Sequence, residues 1–420
     1  EAMTKRLILA FVFLSWHLVA CSNGDSGISS GLPDKPSAEE DSPGTETISE
    51  EMRVKITGED LYISAKLDAK TDILYWFKKC MFNELFTFYR VGTIDNNMPT
   101  PATLPDASPT SLLNLAYSDN IGPFNITGYG WCGGNHPYLD EVTQTARNIG
   151  YRIYIDGKEI KTDLSTLTKE IKIEVINEIM NPSKADTSSG KTLLNEILCI
   201  ETVNYSIYRN NIQVLVTHEF QNEAPVTVQM YYGMQSMFDK ETHTLTANGK
   251  YVDWTVQKDV STFTKKEYPS FRRFIEKSAN AYQSSYLFAD GLGNHEEISD
   301  DDIIFIGNSS NKTYHKIIAD REHKKGDIIH WSGVYTWFKS PVSDDDDLLC
   351  YEGVIDNKKV LFIDCKKSVD RTIQLPVDYT KKSFTIIEKS KSITITGNKV
   401  TAKGLRIVSD GSGSCVITFD

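Results

Sequence analysis

Tyr151-Arg152-Ile153-Tyr154-Ile155-Asp156-Gly157 alternates apolar and polar side chains and ends in an Asp-Gly pair. A period of two places Tyr151, Ile153 and Ile155 on one face of an extended chain. The Asp-Gly pair supplies the left-handed backbone of a tight hairpin turn. Working outward, Ile171, Ile173 and Val175 alternate with Lys172 and Glu174, and Ile393 and Ile395 with Ser392, Thr394 and Thr396. Asn248-Gly249 and Gly397-Asn398 repeat the turn signal. Such runs predict half-buried strands of antiparallel sheets. Helical spacing is confined to Ser270 through Tyr282, where Phe271, Phe274, Ile275 and Ala279 form one stripe. The expected fold is all-β with few helices.

Breaks in composition divide the chain. Lys5 and Arg6 precede an apolar run from Leu7 to Ala20, interrupted only by Ser15 and His17. Its 14 residues are too few to span a bilayer as a helix. That pattern predicts a signal peptide over residues 1–20. Leu18-Val19-Ala20-Cys21 resembles a bacterial lipobox, in which the Cys21 thiol receives the lipid. Each buried methylene of that lipid contributes roughly 0.8 kcal/mol to attachment. Residues 21–50 are rich in Ser, Gly, Pro, Asp and Glu and read as a disordered tether. Residues 51–340 are expected to form a large antiparallel β-sandwich. Residues 348–420 are expected to form a small C-terminal β module. Between them Asp344 to Asp347 repel one another and predict a solvated loop; a calcium site is the sharper alternative, without EF-hand spacing. Pro99, Pro101, Pro105 and Pro109 mark a long surface loop.

A net charge of −12 disfavours nucleic acid, which needs a basic face. Six cysteines follow Cys21, none at metal-site spacing, and neither metal nor cofactor is expected. A hairpin centred on Asn357-Lys358 would set Cys350 opposite Cys365, as a disulfide or as two buried thiols; a turn shifted by one residue would separate them. Neither a G-x-S-x-G elbow nor an H-E-x-x-H helix occurs. Gly190-Lys191-Thr192 imitates the end of a phosphate loop, but Ala185 stands where the first glycine belongs.

The densest unusual stretch is Ser118 to Phe124, reading Ser-Asp-Asn-Ile-Gly-Pro-Phe, followed by Gly128 to Tyr138, reading Gly-Tyr-Gly-Trp-Cys-Gly-Gly-Asn-His-Pro-Tyr. Its glycines and prolines fix turns. Tyr129, Trp131 and Tyr138 offer flat apolar faces beside the polar groups of Asn135, His136 and, further on, Arg147. Sugars present apolar C–H faces and many hydroxyls, which suits that mixture. Trp131 as plain core and His136 as a turn cap are the bland readings. His218 and Glu219 are neighbours in an extended run and point to opposite faces, so they cannot line one cleft without a bulge. Tyr232 and Gln235 are polar tips in an apolar strand and join His218 as candidate ligand contacts.

The Asp-Asn-Ile-Gly-Pro-Phe and Gly-Gly-Asn-His segments resemble signatures of a poorly characterised group of exported and phage-associated β-proteins. Val214 to Gln235 is similar to the paired central strands of a galactose-mutarotase-like supersandwich. Gly404–Ile407 and Ser414–Ile417 are similar to small β-sandwiches appended to carbohydrate-active enzymes. Together with the lipobox, the resemblance is to a Bacteroidetes-type surface lipoprotein. It implies a glycan ligand, a lipid membrane reached through acylated Cys21, and placement at the outer membrane or cell surface. A lyase would draw on His136, Tyr138 and Arg147, with Trp131, Asn135 and Tyr129 binding substrate. A hydrolase would need two carboxylates, for which Asp140, Glu141 and Glu219 are available. Non-catalytic glycan binding and a structural or adhesive role are the alternatives.

Overall fold

In a computed structural model, residues 48–103, 111–115, 121–256, 261–264, 273–279, 281–288, 302–306 and 312–420 are described. The signal peptide, Cys21, the tether up to residue 47, and Ser118 to Asn120 lie outside the described residues.

The chain is all-β. Its organising element is a ten-stranded antiparallel sheet. From edge to edge it runs Tyr251–Asp253, His243–Leu245, Arg273–Lys277, Tyr282–Leu287, Ile328–Phe338, Asn211–Phe220, Ile197–Tyr208, Ile171–Met180, Ala146–Ile155 and Lys158–Ile160. The alternation that predicted strands over 151–156 and 171–175 is realised here, with Ile153, Ile155, Ile171, Ile173 and Val175 buried. Asp156 and Gly157 take positive φ, 47° and 77°, and Ile155 faces Lys158 across the predicted two-residue turn.

Two six-stranded sheets cover one face of this sheet. The first contains Met52–Thr57, Asp60–Lys66, Thr71–Cys80 and Leu85–Asp95; its Phe77 and Phe88 meet Tyr205 and Tyr335 edge-on at 5.4 Å. The second pairs Lys312–His323 with Val226–Met237, and the latter with the hairpin Pro123–Ile126 and Gly130–Gly133. Side chains of all three sheets form one continuous core.

On the opposite face, a five-stranded sheet from residues 343–419 packs over Arg273–Lys277, Tyr282–Leu287 and Ile328–Phe338. Phe338 stacks on Tyr351 at 4.3 Å and Tyr351 on Phe362 at 5.0 Å. Burying each such ring contributes roughly 1.5–3 kcal/mol. Arg273 and Asp364 form a buried ion pair across the seam, shared with Ser414. A three-stranded sheet of Val369–Ile373, Leu405–Ser409 and Ile393–Ile395 closes a separate core behind it.

Two expectations change. Residues 273–277 and 282–287 are strands, not parts of a helix. Both faces of these strands are buried, so Phe274 and Ile275 are adjacent apolar residues without alternation, and that spacing imitates a helical stripe. The 355–358 hairpin turns at Asp356-Asn357, both with positive φ, one residue earlier than expected. Cys350 therefore faces Ile363, Cys365 faces Leu348, and both are buried thiols. The aspartate run stays at the surface as expected, and there it is paired with cations: Asp344 meets Lys366 at 2.9 Å, Asp345 meets Arg371 at 2.7 Å and Asp347 meets Lys367 at 2.9 Å.

Candidate functional site

Gly130–Gly133 is the edge strand of its sheet, so Trp131 projects from a hairpin with one side open. The chain then turns through Gly133 and Gly134, both at positive φ, and carries His136 and Tyr138 back towards Trp131. Asp140 fastens this return. Its Oδ1 accepts from the Val142 and Thr143 amides at 2.9 and 2.7 Å, and its Oδ2 from the Thr143 hydroxyl at 2.8 Å. These bonds, the Val142 amide first, hold the carboxyl down at about 2. Asp140 is thus a turn-former rather than a carboxylate available to substrate.

The third wall is the strand Val226–Met237. Tyr231 points into the core, where its hydroxyl donates to Ile121 O at 2.6 Å and accepts from Trp331 Nε1 at 2.9 Å. Tyr232 therefore points the other way, towards Trp131. In a regular strand Gln235, three positions on, would point away from Tyr232. The pairing with Lys312–His323 slips between Gly233 and Ser236, and Met234 sits at φ 50°. This bulge re-aims Gln235 onto the same side. Gly122, at φ 92°, presses against Tyr232 so closely that an added Cβ would lie 1.3 Å from the Tyr232 carbonyl oxygen. Only glycine fits there.

The result is an open recess of about 190 Å³ lined by Pro123, Trp131, His136, Tyr138, Tyr232, Gln235 and Lys312. Trp131 is flanked by Tyr232, at 5.8 Å and 22°, and by Tyr138, at 6.1 Å and 29°. The His136 ring stands at 64° to Tyr138, 5.6 Å away. Such an arrangement presents near-parallel aromatic faces beside an imidazole and an ammonium, with the buried Gln235 amide at the bottom. It can stack on a flat apolar face and hydrogen-bond around it. Among the described lining residues there is no Asp or Glu.

Five sequence candidates thus converge: Trp131, His136, Tyr138, Tyr232 and Gln235. Four do not. Asn135, the neighbour of His136, points inward and is 4 % exposed. It lines a small inner cavity of about 20 Å³ with Asn177, Glu201 and Tyr205, a volume suited to one water. Tyr129 occupies the hairpin tip, 54 % exposed, where its amide donates to Ile126 O. His218 is fully buried on the inward face of the ten-stranded sheet. Its Nε2 meets Glu201 at 2.9 Å, and Asn177 Nδ2 donates to the other Glu201 oxygen. Arg147 lies opposite Glu178 on the solvent face of that sheet and pairs with it, because Ala146 and Ile179 hold the inward positions. Lys312 and Pro123 were not singled out from sequence. Gly307 to Asn311, reading Gly-Asn-Ser-Ser-Asn, marks the start of the strand that Lys312 opens, but its approach to Gln235 depends on the bulge.

A polar cluster lies behind the Gln235–Lys312 wall. Ser236 and Thr313 face each other, and Thr313 donates to Glu276 at 2.6 Å. Glu276 is fully buried, and burial pushes its carboxyl up to about 7, against hydrogen bonds from Thr313 and Ser236. Glu241 is held well above the carboxylate range by burial and by Glu276 beside it. His315, on the same strand as Thr313, is pushed down to about 3 by burial.

No family model matches this chain, and no curated protein matches it. Solved structures do. A family 36 α-galactosidase, AgaB from Geobacillus stearothermophilus, is similar at 8% identity and a TM-score of 0.40, with 69% of this chain and 41% of that one covered. The galactosidase domain of α-galactosidase-sucrose kinase, AgaSK, is similar at 11% and 0.38, covering 69% and 42%. A family 97 glycoside hydrolase from Pseudoalteromonas is similar at 6% and 0.35, covering 70% and 37%. The chain spans about two fifths of the length of the α-galactosidases it matches. At these identities and scores no residue or activity is carried across.

Proposed function

We propose that this chain is an exported lipoprotein, held on a membrane through acylated Cys21, whose β ectodomain binds a carbohydrate polymer at the Trp131 recess. The observation that carries this reading is the convergence of Trp131, Tyr138 and Tyr232 with His136, Gln235 and Lys312 from three separate chain segments. Pyranose rings bury their C–H faces on such platforms while their hydroxyls meet the polar rim. The absence of a carboxylate among the described lining residues supports binding over two-carboxylate hydrolysis. His136 and Tyr138 supply the acid–base groups a processing activity would use. Placement at the outer membrane or cell surface follows from the lipobox-like Leu18–Cys21 and the polar tether after it.

A glycan array probed with the wild type and with Trp131→Ala tests this reading. Retention of a carbohydrate by the wild type and its loss in the variant is the expected result. No retained glycan, or equal retention by both, overturns it. Hits are then incubated with the protein and assayed for new reducing ends and for an unsaturated product. Turnover lost in His136→Ala would convert the reading from binding to processing. Labelling of cells with an alkynyl palmitate, lost in Cys21→Ser, tests the anchor.

A further inference from the structure

We infer a second binding surface, independent of the recess, for an acidic polysaccharide on the outer face of the first six-stranded sheet. The strands Met52–Thr57, Asp60–Lys66, Thr71–Cys80 and Leu85–Asp95 lie side by side there. Tyr62 is directly opposite Trp76, and Trp76 opposite Arg90, so their side chains share one face. Lys55 is opposite Tyr62 and joins them. The pairing slips between Trp76 and Phe77, and the extra residue, Tyr89, turns out beside Arg90. The core-facing side of the same strands is apolar and buried, with Leu61, Ile63, Tyr75, Phe77 and Phe88. The outward aromatics are therefore additional to what the core requires.

The strip is ordered. Tyr62 and Trp76 stack at 5.3 Å and 26°, and Tyr89 meets Trp76 edge-on at 5.0 Å. Asp60 Oδ1 accepts from Trp76 Nε1 at 2.8 Å and sets the indole's orientation. Lys78 Nζ sits 4.4 Å from the Trp76 ring centre and 4.2 Å from that of Tyr89. The Arg90 guanidinium sits 4.8 Å from Tyr89. All of these side chains are half-buried.

Charge decides the ligand. Neither Lys78 nor Arg90 pairs with a carboxylate among the described residues, and Arg90 Nε is buried without a hydrogen-bond partner there. Other half-buried or exposed cations of this protein do find a carboxylate: Lys79, Arg147, Arg152, Lys172, Arg371 and Arg406 each have an acidic partner. In a chain of net charge −12, a face where lysine and arginine rest on rings instead of carboxylates is complementary to an external anion. A carboxylate or sulfate bridging Lys78 and Arg90 would gain charge-assisted hydrogen bonds, and the sugar carrying it would lie against Trp76 and Tyr62. Repetition of the acidic sugar along a polymer would engage Lys55 as well.

Affinity electrophoresis of the full ectodomain in gels containing polygalacturonate, with amylose as the neutral counterpart, tests the inference. The wild type should be retarded by polygalacturonate and not by amylose, and less so as salt is added. Lys78→Gln/Arg90→Gln should weaken retardation on the order of tenfold in apparent affinity. Trp131→Ala should leave it unchanged, which separates this surface from the recess. Lys158→Gln/Lys191→Gln removes the same charge at exposed positions elsewhere and should also leave it unchanged. If the Lys78/Arg90 pair melts early, Lys78→Gln alone reads the same outcome at smaller amplitude. The inference is overturned by no retardation, by equal loss in the two double variants, or by capture on anionic phospholipid vesicles without retardation by the polymer.

Discussion

Two aromatic triads of identical composition, one tryptophan and two tyrosines, face outward from this molecule and are built in opposite ways. Tyr62, Trp76 and Tyr89 come from neighbouring strands and meet largely through ordinary register. Trp131, Tyr138 and Tyr232 come from a hairpin, a returning loop and a bulged strand. The first triad is flat, with cations laid on its rings. The second encloses a recess and sets its polar groups beside the rings in the lining. A sheet face gives an extended platform at little backbone cost. A recess needs positive φ at Gly122, Gly133 and Met234, and a rigid floor to hold them.

That floor is where the two triads differ most in fragility. Phe124 stacks on Tyr231 at 4.5 Å and meets His218 edge-on at 4.8 Å, above the buried Glu201 pair. His218→Ala should cost about 3–5 kcal/mol, because it leaves a cavity in the core and a buried Glu201 oxygen without its hydrogen-bond partner. Urea denaturation measures it. Loss of glycan retention at the recess should accompany it, with polygalacturonate retardation retained below the melting temperature. A loss under about 1 kcal/mol would mean that the floor relaxes and the contrast in rigidity is false. Gly122→Ala should follow, at about 3 kcal/mol, through strain at positive φ and the contact with Tyr232. Its decisive reading is selective: recess binding abolished, strip binding intact.

The buried carboxyl of Glu276 sharpens the comparison with pH. Its folded pKa is raised above its unfolded value, so its contribution is fully present below the unfolded carboxylate range. That contribution is lost as pH climbs towards about 7. Denaturation at pH 5 and pH 8 should show lower stability at the higher value, and Glu276→Gln should flatten that slope. Because Ser236 and Thr313 join this cluster to Gln235 and Lys312, recess affinity should fall with pH while strip affinity does not. The smallest effect is at Trp131 itself. Trp131→Ala sits on an edge strand and should change stability by no more than about 1 kcal/mol while lowering recess affinity on the order of tenfold. Calorimetric melting and titration with an array hit would separate the two.

Much of this was legible in the sequence where one physical rule acts alone. Alternation placed 151–155 and 171–175 on strands, and Asp156-Gly157 at the turn that ends the first of them, since one buried face is enough to impose the pattern. Arg273–Lys277 was unreadable for the complementary reason: buried on both faces, it lacks a period. The ring-bearing residues of the recess stand out as types, yet their meeting depends on the slip at Gly233 to Ser236, which no local motif announces. The same slip brings in Lys312, while a second bulge, at Ile149, re-phases its strand and sends Arg147 to the far side of another sheet. The flat triad escaped notice because its members are scattered over three strands. The register of two hairpins would have revealed it.

Cys132, next to Trp131, faces the other way, fully buried opposite Phe124, and burial pushes its thiol well above the range in which it reacts. The hairpin therefore carries its own clock. A thiol reagent can modify Cys132 only in the moments when the strand lifts from the floor, so the labelling rate counts those excursions. A glycan spanning Trp131 and Tyr232 would pin the strand and slow the count. Breathing of the recess, and its arrest by ligand, can thus be timed without adding a probe to the protein.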